Sequence, residues 1–309
     1  MIAKGVNKVV AYKKESTFGT VAGSSDGKQL RRVTADFNLS KEFYESNEIN
    51  TYRQVVDARH GARSVDGSLN GELSPGSYAD FIAAAVSKDF AAVTAITGLS
   101  ATVAAVSGNV YTITRATGSW LSDGITVGNI VRLTGAGLNA ANVGNNMLVI
   151  SMTATVLTVE LLSSTALVAE GPIASVTATV TGKVTKAPLS AHTDDSFTIE
   201  EWYSGIAQSE VYTGFKIGSM NVSIPASGMV TCDFGGMGKD LSIKGTSQYF
   251  SSPAATGTTG IFAAVNGALI ANGSPVALVT SADFSIDRGL AGAVVVGSNN
   301  QADIFEDIS

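Results

Sequence analysis

The chain has 309 residues, room for about two domains at ~150 residues each. Gly accounts for 33 of them and charged residues for only 15%, against about 7% and ~25% in ordinary globular chains. This composition speaks against a helical protein and for a weakly charged surface that partners cover. A net charge of −6 and a pI near 5.0 exclude a general nucleic-acid binder, which needs clustered Lys and Arg. One Cys and two His leave too few ligands for a tetrahedral zinc site and no intramolecular disulfide. The start Met1-Ile2-Ala3-Lys4-Gly5 lacks the apolar core of a secretory signal, so synthesis in a reducing cytoplasm is expected. The longest apolar run, 81–86, is too short to cross a bilayer.

Charge is distributed unevenly. Residues 1–64 carry 11 basic and 7 acidic groups, and 65–309 carry 9 and 19. In Val33-Thr34-Ala35-Asp36-Phe37-Asn38-Leu39 apolar side chains occupy every second position, which predicts a strand with one buried face. The following segment, 38–66, mixes charges with aromatics and has no clear period. Its Arg and Tyr content is that of protein interfaces, and a stretch this long in a compact domain is usually functional or disordered. Tyr44, Glu45, Tyr52, Arg53, Asp57, Arg59 and Arg63 are its candidate interface residues.

A single helix is predicted next. Tyr78, Phe81, Ile82, Ala85 and Val86 fall at helical spacing and are its candidate packing residues, with Ser77 and Asp80 placed like a capping box. From 91 to 187 only seven residues are charged, and short β-branched runs recur at 110–114, 129–133, 147–150, 155–159 and 176–180, punctuated by Gly and Asn. We read 91–187 as an inserted small antiparallel barrel or Ig-like domain, and 1–90 with 188–309 as the main domain. Alternation returns in Met220-Asn221-Val222-Ser223-Ile224 and Ala282-Asp283-Phe284-Ser285-Ile286. The expected fold is mainly β: an antiparallel β-sandwich or barrel with one packed α-helix, plus the inserted small β-domain.

Motifs for catalysis fail in context. Gly135-Ala136-Gly137-Leu138-Asn139-Ala140 fits a dinucleotide fingerprint, but the Asn-rich residues after it predict a turn rather than a helix. Gly23-Ser24-Ser25-Asp26-Gly27 resembles a nucleophile elbow without its flanking strand and helix. His60 sits in a basic stretch and reads as solvated or interfacial. His192 precedes Asp194-Asp195, where a turn with solvated carboxylates outweighs a weak metal site. The pairs Asp194-Asp195 and Glu200-Glu201 are expected to lend a surface negative charge, because neighbours on a strand point to opposite faces. No enzyme activity and no cofactor are expected.

Four stretches resemble the tail tube protein family of long-tailed bacteriophages. They are Val9-Val10-Ala11-Tyr12-Lys13-Lys14-Glu15-Ser16-Thr17-Phe18-Gly19-Thr20; Asn47-Glu48-Ile49 through Arg53-Gln54-Val55-Val56-Asp57-Ala58-Arg59-His60-Gly61; Val65-Asp66-Gly67-Ser68-Leu69-Asn70-Gly71-Glu72-Leu73-Ser74 with the helix after it; and Asp233-Phe234-Gly235-Gly236-Met237-Gly238-Lys239-Asp240. The resemblance implies a structural subunit of the virion tail, assembled in the host cytoplasm. Its hexameric rings would stack into a tube that passes DNA without sequence-specific binding. It also implies a tape-measure protein, a tail terminator and a distal tail protein as partners, the inserted domain on the tube exterior, and a further strand after Ile304-Phe305-Glu306-Asp307-Ile308. The segment 38–66 would then contact the neighbouring ring, and the positive N-terminal segment would meet the negative remainder. A cell-surface, adhesin-like β-protein is the alternative, and a carbohydrate-active enzyme a third.

Overall fold

In the computed structural model, which describes residues 5–49, 51, 57–267, 270–271, 274–275 and 279–307, the chain divides into two compact units. One comprises Met1–Asp89, Lys186–Gly267 and Thr280–Ser309, the other Phe90–Thr185 and Ala268–Val279. In chain order the first unit opens with β1 (Lys8–Lys14), β2 (Lys28–Gln29), β3 (Thr34–Glu45), β4 (Ala58–Glu72) and α1 (Ala79–Val86). The second supplies β5 (Ile96–Ser107), β6 (Val110–Arg115), β7 (Ile130–Thr134), β8 (Met147–Met152), β9 (Val156–Leu161) and β10 (Glu170–Val180). Then follow β11 (Phe197–Tyr203), β12 (Gln208–Pro225), β13 (Thr231–Gly238) and β14 (Asp240–Gly245). Last come the short β15 (Ile270–Ala271) and β16 (Ser274–Pro275), then β17 (Ser281–Asp287), β18 (Leu290–Ala293) and β19 (Asp303–Glu306). Sequence reading leaves 268–279 with the larger domain; β15 and β16 pair only with each other, so no ladder ties them to its sheet.

The second unit is a closed antiparallel barrel in the order β10-β5-β6-β9-β8-β7. Alternation puts Ile113, Val131, Leu133, Met147, Val149, Leu157 and Val159 inside. Trp120 plugs it, fully buried, with its indole N–H donating to the Thr155 carbonyl at 3.0 Å and the Arg115 guanidinium stacked 4.7 Å from the ring centroid. The Gly135–Ala140 motif lies in the loop after β7 and leads to a single 3₁₀ turn, Ala140–Asn142, not to an α-helix.

The first unit is built on β12. Along one flank this strand pairs with β11 and then β17; along the other with β14 and then β13, beyond which lie β4 and β3. All these ladders are antiparallel. The sheet folds over one core in which Phe81 of α1 meets Tyr12 (4.7 Å), Phe197 (5.0 Å) and Phe234 (5.7 Å), thereby touching both halves. Glycines make room for the aromatics. A Cβ at Gly67 would overlap the rings of Phe37 and Phe215, and one at Gly71 the Tyr78 hydroxyl. On α1 and the residue before it, Tyr78, Phe81 and Ala85 are buried and Ile82 and Val86 half-buried; Ala83 and Ala84 are buried as well.

Four expectations need correction. Ser77 and Asp80 form no capping box: Tyr78 is the N-cap and makes no side-chain cap bond, while Asp80 accepts from the Tyr12 hydroxyl at 3.0 Å and Lys28 at 2.6 Å. The apolar face of 282–286 is only partly buried. Ile286 packs against the core, but Phe284 is 57% exposed, because β17 is the last strand on its flank among the described residues. The segment 38–66 is not one irregular stretch, since its two ends are strands of one β3–β4 hairpin. The acidic pairs, finally, do not simply charge a surface. Glu200 is buried and accepts from Ser209 Oγ (2.7 Å) and the backbone N–H groups of Tyr249 (2.6 Å) and Phe250 (3.0 Å). Glu201 is buried beside Lys8 (2.6 Å) and Tyr203 (2.9 Å), and loss of hydration holds its carboxyl above the usual range. Asp195 is buried against Lys14 at 2.7 Å.

Asp194 contributes to a second clamp. Lys216, 1% exposed, donates to Asp194 (2.5 Å), Asp303 (3.2 Å) and the Ile304 carbonyl (2.5 Å), and lies 4.7 Å from the Phe18 ring. It thereby holds the β18–β19 hairpin on β12. Glu15, from the first resemblance motif, is likewise structural: it accepts from Ser196 Oγ (2.7 Å), Thr198 Oγ1 (2.9 Å) and the N–H groups of Gly19 and Gly214 (both 2.9 Å).

Truncating Phe81 to Ala should cost about 3–5 kcal/mol, the range for a buried Phe, read from denaturant unfolding of the full chain. Burial pushes the Cys232 thiol up to about 12. Cys232 is therefore expected to resist a thiol reagent at pH 8 in the folded protein and to react once denatured; rapid labelling without denaturant would contradict its position in the core.

Candidate assembly surfaces

Beyond Leu39 the β3–β4 hairpin leaves the core, and every residue from 40 to 45 is exposed. It nonetheless carries contacts of its own. Tyr44 lies across Gly61, where a side chain would collide with its ring, and its hydroxyl donates to Glu42. Phe43 stacks edge-on to His60 at 6.2 Å. Of the interface residues expected from the sequence, Tyr44, Glu45, Asp57 and Arg59 lie together on this arm, Tyr44 opposite Arg59 and Glu45 opposite Ala58. Arg59, with an 80% exposed side chain, pairs with Asp57 at 2.9 Å. Arg63 lies at the base of the arm and faces its own subunit, bridging Asp240 (3.3 Å) and the Asn299 side chain (3.0 Å). Tyr52 and Arg53 lie outside the described residues. Two exposed aromatics presented at low conformational cost suit the arm to be an anchor in a protein interface.

The second surface was not foreseen from the sequence. Register places the non-core side chains of β17, β12, β13, β4 and β3 on one face of the sheet. Across β12 and β13 it consists of Ser219, Asn221 and Ser223 opposite Gly235, Asp233 and Thr231. Its acidic members are Asp36, Asp66, Glu72, Asp233, Asp283 and Asp287; over 34–40, 64–72, 231–235, 219–223 and 281–287 it carries no Lys or Arg, and Lys216, next in register on β12, is buried beneath Asp194 and Asp303. Ser, Thr, Asn and Gly fill most of the rest, so the face is smooth as well as negative. On each side it ends in a strand with one partner among the described residues, β17 on β12 and β3 on β4. Such unpaired edges invite another chain.

Part of the excess positive charge of residues 1–64 is met within the same unit: Lys8, Lys14, Lys28 and Arg63 are engaged by Glu201, Asp195, Asp80 and Asp240. Gly23–Gly27 is irregular, and its Lys13 contacts are to the Gly23 and Ser25 carbonyls. His60 and His192 are exposed. Among the described residues no three His, Cys, Asp or Glu side chains are placed to hold a metal, and no helix is long and apolar enough to cross a membrane.

The model of the family described as phage tail tube protein matches residues 5–308. No curated protein matches the chain. With its family match over nearly its whole length, the chain belongs to the phage tail tube protein family and is a structural component of the virion tail.

Proposed function

We propose that copies of this chain close edge to edge into rings, hexameric as the sequence resemblance implies, and that the rings stack head to tail into a hollow tube through which DNA reaches the host. The observation that carries this reading is the acidic sheet face, free of exposed Lys and Arg from 34 to 40 on β3 and on the residues level with it, bounded by two edge strands that have one partner each among the described residues. Rotational closure satisfies both edges in every subunit, and a stacking contact that does not close on itself extends the assembly. The bent sheet then turns its negative face to the lumen. At physiological ionic strength the repulsion of a phosphate reaches only ~8 Å, so the lining keeps DNA from adhering to the wall without retarding it from afar. Lys or Arg there would create phosphate contacts and hold it.

In this assembly the β3–β4 arm reaches the next ring, with Tyr44 and Arg59 at the contact and Tyr52, Arg53 and Asp57 nearby. The domain 91–187, tied off by mutual backbone hydrogen bonds between Ala91 and Val184 (3.0 and 2.9 Å), stands on the tube exterior as an insertion on a narrow stem. Assembly takes place in the host cytoplasm, with a tape-measure protein setting length and terminator and distal tail proteins closing the ends. A cell-surface adhesin would leave the family match over residues 5–308 without explanation.

Two substitutions test this reading. Arg59→Glu, on an exposed arm, should change stability by no more than ~0.5 kcal/mol yet abolish tube growth seen by electron microscopy; normal tubes would remove Arg59 from the stacking contact. Ser68→Lys, on the negative face, should leave tubes intact but slow DNA passage, with the block relieved at raised salt as phosphate contacts weaken. Unchanged DNA delivery at low salt would place that face elsewhere than the lumen.

A further inference from the structure

The two edges of the acidic sheet are not equivalent. On β17 the edge away from β12 has no strand partner among the described residues. On β3 the base is occupied by its own subunit: Lys8 Nζ donates to the Ala35 carbonyl, and the Tyr212 hydroxyl donates to the Phe37 carbonyl at 2.9 Å. Both caps are firmly held, because Lys8 is fixed by Glu201 at 2.6 Å and Tyr212 is buried in the core. An incoming strand cannot use those carbonyls without breaking the caps and stranding buried polar groups. Beyond Leu39 the same edge carries no cap among the described residues.

Strand direction adds a second constraint. From β17 through β12, β13 and β4 to β3 every neighbour is antiparallel, so in this run of five the first and last strands point the same way. Rotation about a ring axis preserves that direction, so β17 of one copy meets β3 of the next in parallel.

Register follows from barrel geometry. Five strands at ~4.8 Å spacing are about 24 Å wide, and a strand tilt of 35–45° turns that width into a stagger of roughly 17–24 Å, or about 5–7 residues. Within one subunit Ser285 is level with Thr34 and Asp287 with Asp36, through Asn221-Asp233-Asn70 and Ser219-Gly235-Ser68 respectively. Only an even shift keeps polar side chains on the polar face, and within that window it is about six residues. A downward shift runs off the start of β3, and no shift at all meets the caps.

We propose that β17 of one copy adds in parallel to the distal half of β3 of the next, setting Asp283 beside Asn38, Ser285 beside Ser40 and Asp287 beside Glu42. The same register brings the exposed Phe284 beside the neighbour's half-buried Leu39, covering apolar surface that a lone subunit leaves in water. This rests on the ring assembly proposed above and specifies its joint: the caps from Lys8 and Tyr212 exclude the unstaggered pairing, and only the staggered one closes a barrel.

The test is disulfide trapping in tubes of the full-length chain, whose sole native Cys is buried. Adjacent strands lie within the Cα separation that a disulfide spans. Ser40→Cys with Ser285→Cys should yield, on oxidation, a covalent ladder up to ring size that collapses on reduction. Thr34→Cys with Ser285→Cys, the unstaggered pair, should stay monomeric on a denaturing gel. Asn38→Cys with Asp283→Cys repeats the test at the same register should the first pair disturb assembly. A ladder from the unstaggered pair, or from none of the three while tubes form, overturns the register. Failure of the unaltered chain to form tubes overturns the ring assembly itself, and the joint with it.

Discussion

A β-strand with one neighbour leaves half of its backbone donors and acceptors unpaired, and the rest of the account follows from where this chain leaves them. The inserted unit has none to spare, because its six strands close on themselves. The larger unit ends its acidic sheet in β17 and β3, neither shortened nor studded with lysine in the way a monomer protects an edge, and the one register shift of the β3–β4 ladder comes late, between Lys41 and Phe43. Lys41 alone stands on the exposed half of β3. Edges of that kind persist where identical copies cover them.

Such a sheet must hold its curvature, and the core supplies the means. Phe37, Phe215 and Tyr78 lie directly over glycines of β4, so the sheet is thin where the rings are thick. Phe81 then bridges the halves. The buried carboxylates of Glu15 and Glu200 are saturated with donors, and Lys216 is matched by two aspartates and a carbonyl. Unpaired, any of these would be strongly destabilising; paired, they fix the N-terminal loop and C-terminal hairpin to β12.

The same packing explains what could be read from the sequence. Strands in which Val, Ile, Leu or Phe alternate with polar residues were legible: 110–114 lies within β6, 147–150 within β8 and 220–224 within β12. In β5, Leu99, Ala101 and Val103 alternate with Gly98, Ser100 and Thr102, a pattern too faint for hydropathy. In β4 the core positions are Val65, Gly67, Leu69 and Gly71, so half of the period is hidden in residues without side chains. The acidic face was invisible for a related reason. Its members are scattered no more than two to a strand, and only the ladder register gathers them. Local charge counting does not show that lysines of the N-terminal segment find partners far along the chain: Lys8 and Glu201 are 193 residues apart.

The central claim is that the edge of β17 is covered by a second copy. Amide hydrogen exchange compared between isolated subunits and assembled tubes measures this most directly, since edge amides without a partner exchange in the lone chain and slow when paired. The account predicts strong protection gained on assembly in 281–287 and in the distal half of β3, with the amides of the closed barrel unchanged. Equal exchange of 281–287 in both states would contradict it.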